Sequence, residues 1–240
     1  MNSGSSQRSV SIIVPTRNEV ENVAPLVEQI VATGVSFREM IFVDADSSDG
    51  TRAAIQSFAT KLPISLLKQN RTEPGLAAAI MAGAYAATGD LLVVMDADLS
   101  HPPERINDLL APLFANSANM VIGSRYVAGG STPGWPKWRK ILSRSGSALA
   151  YPLTGVRDAM CGFFAIERQL LLEIAPPTVG FKIVFETIVR GKSKLQVKEI
   201  PIAFRDRTRG RSKMSLGVAF RFLGRWLAAV FRRAFRRDAN

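Results

Sequence analysis

Short runs of aliphatic and β-branched residues alternate with longer stretches of helical period through the first half of the chain. Residues 11–15 (SIIVP), 40–44 (MIFVD), 64–68 (ISLLK), 91–96 (LLVVMD) and 120–124 (MVIGS) read as strands. Between them a helix opens at Asn18-Glu19 and runs towards Thr33-Gly34. A second is N-capped by Asp49 and runs through Ala59. An alanine-rich third fills residues 75–88, and Gly89 stops it. Pro102 and Pro103 stand where a fourth helix would begin. Near-continuous apolar strands separated by helices imply a mostly parallel sheet covered on both faces, an α/β fold. The polar motifs PTRNE, DADSSDGT and DADLSHPPE follow strands directly, and such sheets bind ligands beyond the carboxyl ends of their strands.

After Ser124 the pattern loosens. Residues 127–136 form a loop rich in Gly and Pro, residues 138–151 read as a helix, and residues 162–166 and 196–201 read as strands with a helix near 181–190 between them. Residues 205–215 (RDRTRGRSKMS) are a basic loop, and the chain closes on a basic, amphipathic helix. At 240 residues and 47% apolar, the sequence suits one large domain with an appendage. We expect a flexible 1–9, a catalytic domain over 10–213, and an interfacial helix over 214–240.

Charge sharpens this division. Residues 201–240 hold 11 basic and 2 acidic residues, whereas the first 200 hold 20 and 18. The basic tail calls for a polyanionic partner such as an anionic membrane surface. On a helical wheel Arg221, Arg225, Arg232 and Arg236 gather on one side, and Leu216, Phe220, Leu223, Leu227, Val230 and Phe231 spread over the other. That is the pattern of a helix lying in a membrane interface. No run of 18 apolar residues suggests a span, and the polar start MNSGSSQRSV suggests no secretory leader. The chain is therefore expected in the cytoplasm, peripheral on the cytoplasmic face of a membrane. A single cysteine, Cys161, excludes an internal disulfide framework, and a single histidine, His101, argues against His-built zinc sites and triads.

The sequence contains neither GxGxxG after its first strand nor GxxxxGK[ST], which argues against dinucleotide dehydrogenases and P-loop enzymes. In extended backbone Asp96 and Asp98 point the same way, so both carboxylates can converge on one cation. Mg²⁺ typically takes one or two carboxylates and fills its shell with water and substrate phosphates.

The ordered set PTRNE, DADSSDGT, GLAAAIMAGAYAATGD, MDADLSHPPE, GSRY and DRTRGRSK resembles the family-2 glycosyltransferases of GT-A fold, most closely the dolichol- and polyprenol-phosphate mannose synthases. The resemblance runs from about Ser11 to Met214. It implies transfer of a hexose, usually mannose from GDP-mannose, to a polyprenyl or dolichyl monophosphate, with Mg²⁺ or Mn²⁺. Pro15, Arg17, Glu19, Val43, Asp44, Asp46, Asp96, Ala97 and Asp98 would contact the nucleotide sugar, together with Arg125, Arg207 and Lys213. Asp96, Asp98 and Ser100 would hold the metal, and Arg125, Arg139 and Ser143 the acceptor phosphate. Asp98, Arg125, Arg207 and Lys213 would carry catalysis. The chain departs from the family at Arg17, commonly aromatic, at Asp44-Ala45-Asp46, commonly two adjacent acids, and at Ser100, where some relatives have Gln. The resemblance also leaves room for a separate membrane-anchor subunit.

The acceptor fixes the expected mechanism. A phosphate monoester is mostly dianionic near neutral pH and attacks without a general base. The difficulty is bringing two anions together, which a divalent ion and Arg125, Arg139, Arg207 and Lys213 would answer. A single displacement with inversion follows. A transferase using a UDP-sugar, such as a polyprenyl-phosphate glucosyltransferase, remains the alternative within the enzyme class. A nucleic-acid binder would explain the basic tail but not the strand-end acids, so no nucleic-acid partner is expected. Among single residues, His101 reads as a loop or capping residue or as a neighbour of the metal, Cys161 as a small core residue, and Trp135 as a loop anchor or an acceptor contact. Glu186 reads either as orienting the sugar or a basic residue, or as a structural ion pair.

Overall fold

The computed structural model describes residues 8–70, 72, 74–174, 182–191 and 193–206. The basic loop from Arg207 onward and the tail helix, with Lys213, lie outside the described residues. Strands β1 (Val10–Thr16), β2 (Glu39–Asp44), β3 (Ile64–Lys68), β4 (Leu91–Val94), β5 (Met120–Ser124), β6 (Phe164–Glu167) and β7 (Val197–Pro201) form one sheet in the order β3-β2-β1-β4-β6-β5-β7. All neighbours pair in parallel except around β6, which runs antiparallel to both β4 and β5. Successive residues of a strand face opposite sides of a sheet. Ile12, Ile13, Leu92 and Val93 are all fully buried, so both faces of the central sheet are covered.

The helices are α1 (Val20–Ala32), α2 (Thr51–Ala59), α3 (Leu76–Ala86), α4 (Ile106–Phe114), α5 (Lys137–Thr154), α6 (Arg168–Ile174) and α7 (Ile183–Gly191). None of the described helices is long and apolar enough to cross a membrane. Helix α3 sits on β1 and β2 through Gly83, where an added Cβ would lie 2.6 Å from Ile13 Cγ2. Its alanines are small enough to let the helix settle against the strands.

Several boundaries differ from the sequence reading for identifiable reasons. Asn18 takes a left-handed backbone (φ 56°), so α1 opens only at Val20. Gly50, at φ 95°, occupies the position expected of Asp49 at the start of α2. Asp49 instead serves two helices, its carboxylate accepting the Thr51 N–H at 3.1 Å and the Val20 N–H at 3.2 Å. Helix α3 stops at Ala86, because Ala87 turns extended. Helix α5 runs three residues beyond its expected end, to a left-handed Gly155. Helix α6 has no counterpart in the sequence reading.

Because β6 is inverted, its first residue lies at the same edge of the sheet as the carboxyl end of β4, with Phe164 paired to Val94. That edge carries the loops after β1, β2, β4, β5 and β7.

Candidate active site

The loops after β1 and β2 are tied together before they meet any ligand. Asn18 N–H donates to Ser47 Oγ at 2.9 Å, and Asn18 Oδ1 accepts the Ser48 N–H at 2.9 Å. Beside them opens a cavity of about 390 Å³ at the carboxyl edge of the sheet. Pro15, Arg17 and Glu19 line it from the first loop, Asp46 from the second, and Asp96, Ala97 and Asp98 from the loop after β4. Gln69, Asn70, Pro74 and Leu76, which the sequence reading did not assign, complete its far wall.

Val43 and Asp44 do not line this cavity. Val43 is buried within β2. Asp44 is buried at the strand's end, where its Oδ2 accepts the Ser47 N–H and Arg52 Nε, while its Oδ1 has no hydrogen-bond partner. Arg52 also reaches Asp46 at 3.0 Å, so one guanidinium balances both acids. It is held in its charged form by hydrogen bonds to Asp44 and Asp46. Asp46 lies beyond the end of β2 with a left-handed backbone (φ 61°), so one acid stands behind the wall and the other on it.

After β4 the chain turns sharply, with Leu99 at φ 60°. The turn delivers both Asp96 and Asp98 to the cavity. Asp98 is buried and accepts the Ser100 N–H at 3.0 Å. Ser100 Oγ is buried without a hydrogen-bond partner. Two carboxylates beside an orphaned hydroxyl fit a hard cation, which prefers oxygen ligands. Among the described residues no three His, Cys, Asp or Glu side chains group as a metal set. Behind the turn His101 is fully buried, its Nδ1 accepting the Asp96 N–H at 3.1 Å. Its ring stacks on Phe163 and meets the edge of Phe204, each at 5.3 Å. Burial pushes the imidazole pKa down against the pull of Asp96 and Asp98.

A second cluster adjoins this turn. Arg125, following β5, is buried and makes a bidentate pair with Asp158, both contacts at 2.7 Å. Desolvation opposes its charge, but the Asp158 hydrogen bonds and charge raise its pKa. Around the guanidinium lie Tyr126, Trp135 and Phe204, 5.2–5.6 Å from ring centroid to Cζ. On α5, Arg139 stacks 3.9 Å over Trp135, and Ser143 Oγ accepts the Tyr126 hydroxyl at 2.6 Å. Arg125, Arg139 and Ser143 are thus gathered into one place by two aromatic rings. Arg125 stands in this cluster and not on the cavity wall. Trp135 is buried beneath Arg139 and against Phe204.

The two clusters are physically joined. Arg205 N–H donates to Ser100 O at 3.1 Å, Phe204 touches His101, Arg125 and Trp135, and Asp206 pairs with Arg139. Sequence reasoning missed Asp158 and Lys182. The Asp158 backbone N–H is anchored to Glu199 at 2.9 Å. Burial pushes the Lys182 ammonium pKa down, and the Arg125 charge adds to this against Asp158 and Asp96. Each stands as a charged residue in a largely apolar stretch, a signal the sequence reading did not use. Glu186 is buried on α7.

A family model described as "Glycosyl transferase family 2" matches residues 11–175. A dolichol-phosphate mannosyltransferase of Pyrococcus furiosus is 37% identical over 220 residues, covering 89% of this chain and 61% of that protein. The chain therefore spans less than two thirds of that relative's length. The dolichol-phosphate mannosyltransferase of Saccharomyces cerevisiae is 34% identical over 226 residues, covering 89% of this chain and 84% of that protein. In fold, the chain is similar to the glucosyl-3-phosphoglycerate synthase of Mycobacterium tuberculosis, solved with Mn²⁺, UDP and glucosyl-3-phosphoglycerate. The TM-score is 0.70 at 18% identity, over 94% of this chain and 80% of that one. The sheet order, the acidic turn and these likenesses agree: the chain is a GT-A glycosyltransferase and belongs to glycosyl transferase family 2, among the dolichol-phosphate mannosyltransferases.

Proposed function

We propose that the protein transfers mannose from GDP-mannose to the phosphate of a polyprenyl or dolichyl monophosphate, inverting the anomeric carbon. One observation carries this reading: a cavity ending in two carboxylates stands directly beside a buried arginine-aromatic cluster. The cavity suits a nucleotide sugar, and Asp96, Asp98 and Ser100 suit its divalent cation, Mg²⁺ or Mn²⁺. When bound, that cation would neutralise charge building on the departing diphosphate. Arg139 and Ser143 hold and orient the acceptor phosphate in this reading, with Arg125 fixing the aromatic frame around them. Arg207 and Lys213 are assigned to the donor diphosphate on their motif. The phosphate oxygen attacks unaided, so no side chain need take a proton.

The same reading makes the enzyme peripheral on the cytoplasmic face of a membrane, with residues 10–213 catalytic and 214–240 interfacial. Helix α5 supports this independently of the tail. Trp138, Ile141 and Leu142 are 64%, 67% and 50% exposed, and the exposed cations Lys137, Lys140 and Arg144 border them. An apolar stripe edged by cations suits an anionic lipid surface.

The deciding experiment incubates radiolabelled GDP-mannose, UDP-glucose and UDP-galactose separately with a short polyprenyl phosphate and Mg²⁺ or Mn²⁺, then extracts with organic solvent. Label from GDP-mannose alone in the organic phase is expected. Efficient transfer from a UDP-sugar, or none from GDP-mannose, overturns the proposal. Asp96→Asn and Asp98→Asn should each lower transfer by about a hundredfold or more, and EDTA should do the same to the native protein. Undiminished activity in EDTA would remove the cation from the mechanism.

A further inference from the structure

Arg139 and Ser143 stand four positions apart on α5, so they share one helix face and can reach one phosphate together. Their constraints differ. An arginine only donates hydrogen bonds, whereas a serine hydroxyl carries one proton and two lone pairs. A phosphate dianion offers acceptors alone. Ser143 therefore helps to hold it only when its proton points at the phosphate, and repels it when a lone pair does.

The hydroxyl's other neighbour decides between the two. Tyr126 Oη donates to Ser143 Oγ at 2.6 Å, as suits the more acidic hydroxyl of the pair. Burial pushes the Tyr126 pKa up and outweighs the pull of Arg125 and of the Ser143 hydrogen bond, so the phenol keeps its proton at neutral pH. The ring stands between two guanidinium groups, with Arg125 Cζ at 5.2 Å and Arg144 Cζ at 5.7 Å from its centroid. Tyr126 is also fixed through its backbone. Its N–H donates to the buried Ser124 Oγ at 3.3 Å, and the preceding Arg125 is bound to Asp158 through both its backbone N–H and its guanidinium. Among the described residues Ser143 Oγ makes no other hydrogen bond, so its own proton is uncommitted.

We propose that Tyr126 is a positioning residue for the acceptor: by donating to Ser143 Oγ it holds that side chain in one rotamer and leaves the serine proton for the phosphate that Arg139 binds. The proposal rests on the reading of Ser143 as an acceptor-phosphate residue. A serine inside a helix has a competing option, donation to the carbonyl four residues earlier, which for Ser143 is that of Arg139. The bond from Tyr126 draws Oγ away from that option. The hydrogen bonds then run in one direction, from Tyr126 to Ser143 to phosphate, and each polarises the next. No proton is transferred along them.

The test uses the full chain carrying Tyr126→Phe, Ser143→Ala or both, with the Kd of farnesyl phosphate from calorimetry and both KM values from transfer. Tyr126→Phe keeps the ring and removes only its hydroxyl. It should weaken farnesyl phosphate binding about threefold, the scale of one net hydrogen bond, and raise that KM in parallel while the KM for GDP-mannose holds. Ser143→Ala should weaken binding about tenfold, because it removes a hydrogen bond to a charged partner. The double variant should bind as Ser143→Ala alone does, because Tyr126 acts only through Ser143. A loss of about thirtyfold in the double variant, the product of independent effects, would show Tyr126 acting on its own and overturn the proposal. Unchanged binding in Tyr126→Phe would overturn it too, and an equal rise in both KM values would mark Tyr126 as a structural prop. Unchanged binding in Ser143→Ala would overturn the acceptor assignment and the proposal with it.

Discussion

Asp158 shows what one residue does in this site. It neutralises a buried arginine through two contacts of 2.7 Å, and its removal would strand that charge away from water. Asp158→Ala should therefore lower stability by about 3–5 kcal/mol, read from urea unfolding. A loss under 1 kcal/mol would mean that water or another acid takes its place. Cys161 offers the opposite kind of test. Burial pushes its thiol pKa up to about 12, and Asp158 adds to the rise. The thiolate is the reactive form, so folded protein at pH 8 should not react with a disulfide reagent on the timescale of minutes, while urea-unfolded protein should. Rapid labelling of the folded chain would contradict the burial. The site was only partly legible at this scale. Asp96 and Asp98 were legible as a pair able to face one way, because residues two apart in extended backbone share a side, while their role came from the resemblance. Asp158 was not legible, because its value depends on an arginine 33 positions away. Asp44 and Asp46 looked interchangeable in sequence, yet β2 ends at the buried Asp44, and the left-handed backbone of Asp46 (φ 61°) leaves the second acid on the cavity wall.

At the level of elements, the strands and first three helices followed from hydrophobic period, because the chain covers both faces of this sheet and punctuates its helices with Gly, Asn and Asp. The antiparallel direction of β6 and the short α6 could not be read that way, since periodicity carries no information about strand direction. Close packing of α3 gives a prediction. A methyl group at Gly83 would meet Ile13 at 2.6 Å and Val43 at 3.2 Å. Gly83→Ala should cost about 1–3 kcal/mol by overpacking, despite the better helix propensity of alanine. A neutral or stabilising outcome in thermal unfolding would show that the helix lifts off freely. Helix α5 gives another. Replacing Trp138, Ile141 and Leu142 together by Ser should reduce co-sedimentation with anionic vesicles severalfold, while transfer to a short, water-soluble acceptor persists. Equal vesicle binding would place the membrane contact elsewhere.

Across the whole molecule, the cavity and the arginine cluster lie at one edge of a single sheet and share residues 202–206. GDP with Mg²⁺ should stabilise the folded state by about 2.7 kcal/mol at a hundred times its Kd, a rise in Tm of roughly 5–10 °C. The nucleotide without the metal should give much less. The placement of β6 has a further bearing on how the protein is made. Strands β1 to β4 complete a contiguous half-sheet using only residues before 95, so that half of the sheet can assemble as soon as the stretch leaves the ribosome. Strand β5 has the opposite fate. Both of its neighbours, β6 and β7, lie later in the chain, so Met120–Ser124 waits without a partner while some forty more residues are synthesised and threads into place only afterwards. At the usual pace of translation that is a delay of seconds, during which an apolar strand has both edges open. The half of the sheet built from β5, β6 and β7 is the later one to form, and the nascent chain is most exposed to aggregation while β5 waits.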